Sequence, residues 1–211
     1  MSFAAAHRHA VATLAIAMLG GCASSILPAP SAPPDLYTLD APARSAPPAR
    51  HPAASPSAPT LVVDMPRSAP GFDTARIAYT RRALEIDYFA HSRWVDAPAR
   101  MLTPSMVRAL EDTGAFHAVL AAPSTASGSL RLESEVVRLQ QDFSVVPSEV
   151  RFTLRAALID GATRRVIASG EFDSRVTARS DDPYGGVVAA RRASEDVLGQ
   201  LAAFCAAHAG S

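Results

Sequence analysis

A chain of 211 residues, 48% of them apolar, can build one domain and still leave a tail. Its 20 basic residues balance 20 acidic ones, so no net field draws it to nucleic acid or to an acidic surface. All the basic residues are arginine, which a GC-rich coding bias that also favours Ala and Pro explains better than selection for guanidinium chemistry.

The N-terminus reads as a secretion signal over residues 1–21. Arg8, between His7 and His9, forms a short basic region, and Ala10 to Leu19 is uncharged and mostly apolar. That run is too short to span a bilayer, which takes about 20 residues. Leu19-Gly20-Gly21-Cys22 closes it and resembles a bacterial lipobox. The resemblance implies a diacylglycerol thioether on Cys22, cleavage just before it and acylation of the new amine, palmitate being one such chain. Chains of this kind, at about 0.8 kcal/mol per buried methylene, hold a protein at a membrane. An ordinary signal peptide followed by a chance cysteine is the alternative. Ala23 and Ser24 follow the cysteine, without the Asp associated with inner-membrane retention in enteric bacteria, so sorting to the outer membrane is expected. No later segment is apolar for long enough to read as a transmembrane helix.

Residues 22–59 read as a lipid-anchored tether rich in Pro, Ala and Ser, with ten prolines between Pro28 and Pro59. Such a segment has too little large apolar side chain to offset ordering entropy. At roughly 3 Å per residue it would reach on the order of 100 Å if nothing docked. Leu36-Tyr37-Thr38-Leu39 interrupts it with a β-like patch suited to docking on the domain or on a partner.

The domain is expected over 60–211. Leu61 to Met65 reads as a strand stopped by Pro66. Arg76 to Tyr79 and Leu84 to Tyr88 read as a tight hairpin turning at Arg81-Arg82. A helix follows, with Thr103 as cap, Pro104 in the first turn, Gly114 at the end, and a stripe of Leu102, Met106, Ala109, Leu110 and Thr113. Ser129 to about Phe143 reads as a long strand whose apolar set changes face near Val136-Val137, the mark of a β-bulge. Val150, Phe152, Leu154, Ala156 and Leu158 alternate with Arg151, Thr153, Arg155 and Ala157 as a half-buried strand. Asp160-Gly161 opens a hairpin returning through Val166, Ala168, Phe172 and Val176. A last helix spans about Pro183 to His208 with Val187, Ala190, Val197, Leu201, Phe204 and Cys205 on one face. The pattern predicts an α+β two-layer sandwich, a twisted, mainly antiparallel sheet with two helices on one face.

Candidate chemistry is sparse. No nucleophile elbow, zincin motif, phosphate loop or Cys/His metal spacing is present, so no catalytic, cofactor or metal residue is assigned. With Cys22 a thioether, Cys205 has no disulfide partner and reads as a small buried hydrophobe. His91 and His117 read as surface histidines, Glu133 and Glu135 as a solvated strand face, and Asp181-Asp182 as carboxylates at a helix start. Arg191-Arg192 marks the outer face of the last helix, with contact to an acidic partner or lipid headgroup as the functional alternative. Tyr88 to Pro98 stands out for its aromatic content, including the only Trp. Trp94 reads first as packing over the sheet end and fixing a strand-to-helix turn. The alternative is an exposed partner interface of Tyr88, Phe89, Arg93 and Trp94.

Together the lipobox, the Leu36–Leu39 patch, Tyr88-Phe89-Ala90 with Arg93-Trp94, Leu110, Gly114-Ala115-Phe116 with Val119, and the closing amphipathic helix resemble the ABC-type transport auxiliary lipoproteins, the PqiC-like lipoproteins among them. The resemblance covers most of the mature chain. It implies a non-enzymatic outer-membrane lipoprotein on the periplasmic face, working with an ABC permease, an ATPase and an MCE-domain protein in lipid transport between membranes. It brings no cofactor and no catalytic residues, and leaves open whether phospholipid or a second copy of the chain is a direct partner. A lipoprotein regulator or activator of a periplasmic cell-wall enzyme could share this design. A periplasmic hydrolase is the least supported class.

Overall fold

A computed structural model of the protein describes residues 32–40, 55, 57–124 and 128–210. The signal, Cys22 and most of the proline-rich segment lie outside the described residues.

Nine strands form one sheet: β1 (Asp35–Tyr37), β2 (Thr60–Val63), β3 (Arg67–Ser68), β4 (Arg76–Thr80), β5 (Asp87–Trp94), β6 (Ala118–Ala121), β7 (Leu130–Asp142), β8 (Glu149–Asp160) and β9 (Val166–Thr177). Two helices, α1 (Pro98–Glu111) and α2 (Pro183–Ala207), complete the described elements. β7 organises the sheet. One of its edges pairs antiparallel with β8 along its whole length, and β8 pairs antiparallel with β9. Its other edge is shared end to end by β2, β3 and β4, each parallel to it. β2 carries β6 outward, and β4 carries β5 and then β1. Most of the paired length is antiparallel, and the parallel ladders are short.

The sequence pattern explains the long strands. Val150, Phe152, Leu154, Ala156 and Leu158 all face the core of β8. On β7 the buried set runs Leu130, Leu132, Ser134, Val136 and then Leu139 and Gln141, and the β7–β8 register slips between Val136 and Arg138. An extra residue there moves the apolar face from even to odd positions, as the sequence led us to expect. The opposite face of β7–β9 is open and carries crossed ion pairs: Arg155 with Glu135 and Glu171, Arg151 with Asp173, and Arg175 with Glu149. Exposed pairs of this kind add little stability.

Both helices pack on the buried face, α2 over β8 and β9 and α1 against α2 and β6. Asp182 caps α2, its Oδ1 accepting from the Gly185 N–H at 2.7 Å. A Cβ on Gly186 would lie 2.1 Å from Gln141 Oε1, so a larger residue there would require the Gln141 side chain to move. Cys205 is fully buried in the same interface, and burial pushes its thiol up to about 12.

Three expectations are corrected. α1 begins at Pro98, not Thr103, and Pro104 lies inside it. Asp96 takes the Ala97 N–H and pairs with Arg100, and the earlier start buries Ala99, Met101 and Leu102, which offsets the roughly 3 kcal/mol of an internal proline. Thr103 caps nothing; its hydroxyl donates to the Ala99 carbonyl. The second hairpin strand is Asp87–Trp94 in place of Leu84–Tyr88, because β5 is paired on both sides, by β4 and by β1. Residues 81–86 are the connecting loop, with Leu84 at φ +67°. Finally, β3 and β6 are short strands not picked out from sequence, because two to four residues cannot display a period.

The Leu36–Leu39 patch docks on the domain. β1 adds to the sheet beside β5 in register Asp35–Ser92 to Tyr37–Trp94, and Leu39 is buried in the core.

Candidate partner interface

Cys22 lies outside the described residues. The other four singled-out residues all sit on β5, and the structure separates them. Trp94 is only 3% exposed, packed near Ile77, Leu139, Gly186 and Ala190, and its backbone N–H donates to the Ala75 carbonyl at 2.8 Å. It is a core residue and offers nothing to a partner, which corrects its place in the interface alternative. The reason is topological: β1 and α2 close over it, and neither closure is visible in the local sequence. Tyr88 is half-buried, with its hydroxyl donating to the Gly71 carbonyl and Arg76 stacked 3.7 Å from its ring centre. Phe89 is half-buried against Tyr79, centroids 4.6 Å apart, and edge-on to Phe143. Arg93 is exposed. These four side chains therefore do not make one patch.

Two other surfaces carry more. A groove of about 640 Å³ lies between β1 and the first turns of α2, lined by Leu36, Tyr37, Tyr184, Arg179, Arg191 and Arg192 among others. Tyr37 and Tyr184 meet at 6.4 Å between ring centres, and Leu36 and Tyr184 are each more than 60% exposed. None of the lining residues is acidic; Arg191 reaches Glu195 outside the groove at 3.2 Å. Guanidiniums over an apolar and aromatic floor suit an anionic group attached to something apolar. Arg191-Arg192 was flagged in the sequence, but β1 and Arg179 join it only through the fold. The second surface is the sheet end formed by residues 81–86 and 143–147, where Leu84, Ile86, Val145 and Val146 are exposed. The signal for it was an unexplained apolar pair, Val145-Val146, in a strand connection.

Among the described residues no group of three His, Cys, Asp or Glu side chains is placed to hold a metal. No described helix is long and apolar enough to cross a membrane. Asp173 is one of several described carboxylates whose pKa is lowered. Burial opposes its charge, but hydrogen bonds from Thr153 and Arg151 win and hold its pKa below the usual carboxylate range. It belongs to the ion-pair lattice of the open face.

A family model described as ABC-type transport auxiliary lipoprotein component matches residues 37–202, from β1 into the last turns of α2. The chain belongs to this family. The match begins at Tyr37, inside β1, and includes the whole sheet that follows. Among solved structures, the protein XCC0632 from Xanthomonas campestris is similar at 25% identity and a TM-score of 0.65, over 74% of this chain and 90% of its own. A crystal structure of an uncharacterised protein shares the fold at 12% identity and a TM-score of 0.60, over 83% of this chain and 98% of its own. A PelC dodecamer from Paraburkholderia phytofirmans is a looser likeness, 18% identical with a TM-score of 0.44, over 72% of this chain and 92% of its own. No curated protein sequence matches the chain.

Proposed function

We propose that this auxiliary lipoprotein is a non-enzymatic subunit of an ABC/MCE-type lipid transport system, anchored through Cys22 to the periplasmic face of the outer membrane. It docks the MCE assembly, which spans from the permease and ATPase, to that membrane. The observation that carries the reading is the family match over residues 37–202, read together with the lipobox at the N-terminus. The basic, apolar-floored groove between β1 and α2 supports it as a surface for a partner, with Arg179, Arg191 and Arg192 as the charged contacts.

Replacing Cys22 with alanine tests the anchor: palmitate incorporation and membrane attachment are both expected to disappear. Density-gradient fractionation of the parent tests the membrane, with co-migration with outer-membrane markers expected. Capture of the MCE-domain protein from cross-linked cells tests the partner, and Arg191→Glu with Arg192→Glu is expected to abolish it without changing the melting temperature. Persistent labelling of Cys22→Ala refutes the anchor. Capture of a cell-wall synthase in place of the MCE protein refutes the transport assignment.

A further inference from the structure

The docking of β1 changes where the domain can stand. With Leu36–Leu39 held in the sheet and core, the chain between Cys22 and β1 is not the whole proline-rich segment but only Ala23 to Pro34, 12 residues. Fully extended at about 3.3–3.6 Å each, they span about 40 Å, well short of the reach expected of an undocked tether. β1 is parallel to β5, and β5 starts at the sheet end where residues 81–86 lie. β1 begins beside Ser92, five residues along β5, with its N-terminus directed toward that end, and the 12-residue leash is long enough to cover the intervening stretch of about 17 Å.

Among the described residues, four of the nine exposed large hydrophobic side chains gather at that end. β4 and β7 are parallel and finish together there, with the Phe143 N–H donating to the Thr80 carbonyl at 2.8 Å. Tyr79, Phe89 and Phe143 pack as a triad that ties the two loop bases together. The first loop is braced further by the Thr80 hydroxyl on the Arg82 carbonyl and by Arg82 with Glu85. Held on this base, Leu84 is fully exposed and Val146 88% exposed, with Ile86 and Val145 beside them. Leu84 also adopts a left-handed backbone at φ +67°, which a leucine takes only at a cost and here without any burial in return. Arg81 lies over the Tyr79 ring at the loop base, at the level of headgroups if the tips enter a bilayer.

We infer that Leu84, Ile86, Val145 and Val146 form a lipid-facing end that dips into the membrane to which Cys22 is anchored. The inference rests on the anchor in the proposed function; the short leash and its direction of entry select a lipid surface as the occupant. The tips expose four apolar side chains, which suits insertion among headgroups and acyl chains.

The full mature chain, reconstituted in vesicles of phosphatidylethanolamine and phosphatidylglycerol, provides the test. A fluorophore is placed at Ser144→Cys or, at the opposite end of the sheet, at Ala162→Cys; buried Cys205 does not compete for label. Spin-labelled lipids are expected to quench the Ser144→Cys label several-fold more strongly than the Ala162→Cys label. Adding Leu84→Ser and Val146→Ser, both at exposed positions, is expected to remove that difference without altering the melting temperature. Equal quenching at the two ends, or quenching that survives the double substitution, overturns the inference. So does a Ser144→Cys label shielded from aqueous iodide yet untouched by spin-labelled lipid, which would mean a protein contact. The mass of the N-terminal peptide reports acylation separately, so a failed anchor and a failed lipid contact are told apart.

Discussion

Replacing Trp94 with alanine is the perturbation that most directly probes how this domain is closed. The indole is 3% exposed, so nearly all of its area is withdrawn from water. A buried Trp contributes about 150–250 Å², which at about 25 cal/mol per Å² corresponds to about 4–6 kcal/mol as an upper bound. Measured large-to-small changes of this type cost about 3–5 kcal/mol, because neighbours relax only partly into the cavity. Here relaxation is restricted. Ile77 and Leu139 belong to paired strands, and Ala190 lies on α2, which is packed along β8 and β9. We therefore expect the full range of about 3–5 kcal/mol, a large share of the 5–15 kcal/mol of a typical domain. For a chain of this size each kcal/mol lowers the melting temperature by about 2–4 °C, so the midpoint should fall by about 6–20 °C. Thermal unfolding followed by circular dichroism reads this directly. β1 should also loosen, since Tyr37 is in register with Trp94 and its carbonyl accepts from Val95, and limited proteolysis near Tyr37 should quicken. A melting temperature within a degree or two of the parent would falsify the burial argument and return Trp94 to the surface.

Three further outcomes are expected. Asp182→Ala removes the cap of α2 and should cost about 1 kcal/mol in chemical denaturation, whereas Asp182→Asn should cost much less. Leu84→Gly should be neutral or stabilising by up to about 1.5 kcal/mol, because relief of left-handed strain, roughly 1–2 kcal/mol, equals or exceeds the added chain entropy of about 0.5–1 kcal/mol; a marked loss of stability would refute this. The pKa of Asp173 is lowered in the folded protein, so its contribution is present above the unfolded carboxylate value, about 3.9, and is lost as pH falls through the folded value. Asp173→Asn should accordingly flatten the acid limb of the stability profile below about pH 4 and leave its slope near neutrality unchanged.

Periodicity over long elements made β7, β8, β9 and α2 legible from sequence, bulge and hairpin included, because a dozen residues facing one core repeat the same side-chain decision many times. Cys205 was legible for the same reason. The lipobox expected at Leu19–Cys22 is a different kind of signal, a linear segment of the sort a processing enzyme reads without any fold. Short elements behaved differently. β1, β3 and β6 hold two to four residues each, and what makes them strands is the exposed edge of β5, β7 or β2 waiting beside them. Tertiary burial also moved the start of α1 to Pro98 against the local signals of Thr103 and Pro104, since Met101 and Leu102 gain more in the core than a proline costs within the helix. Trp94 shows the same division: its local sequence allowed an exposed anchor or a core plug, and only β1 and α2 closing over it from distant parts of the chain made it the plug. The exposed tips at Leu84 and Val146 and the basic groove beside Tyr37 are likewise assembled from segments far apart in the chain, so local patterns such as Val145-Val146 and Arg191-Arg192 show only one part of each surface.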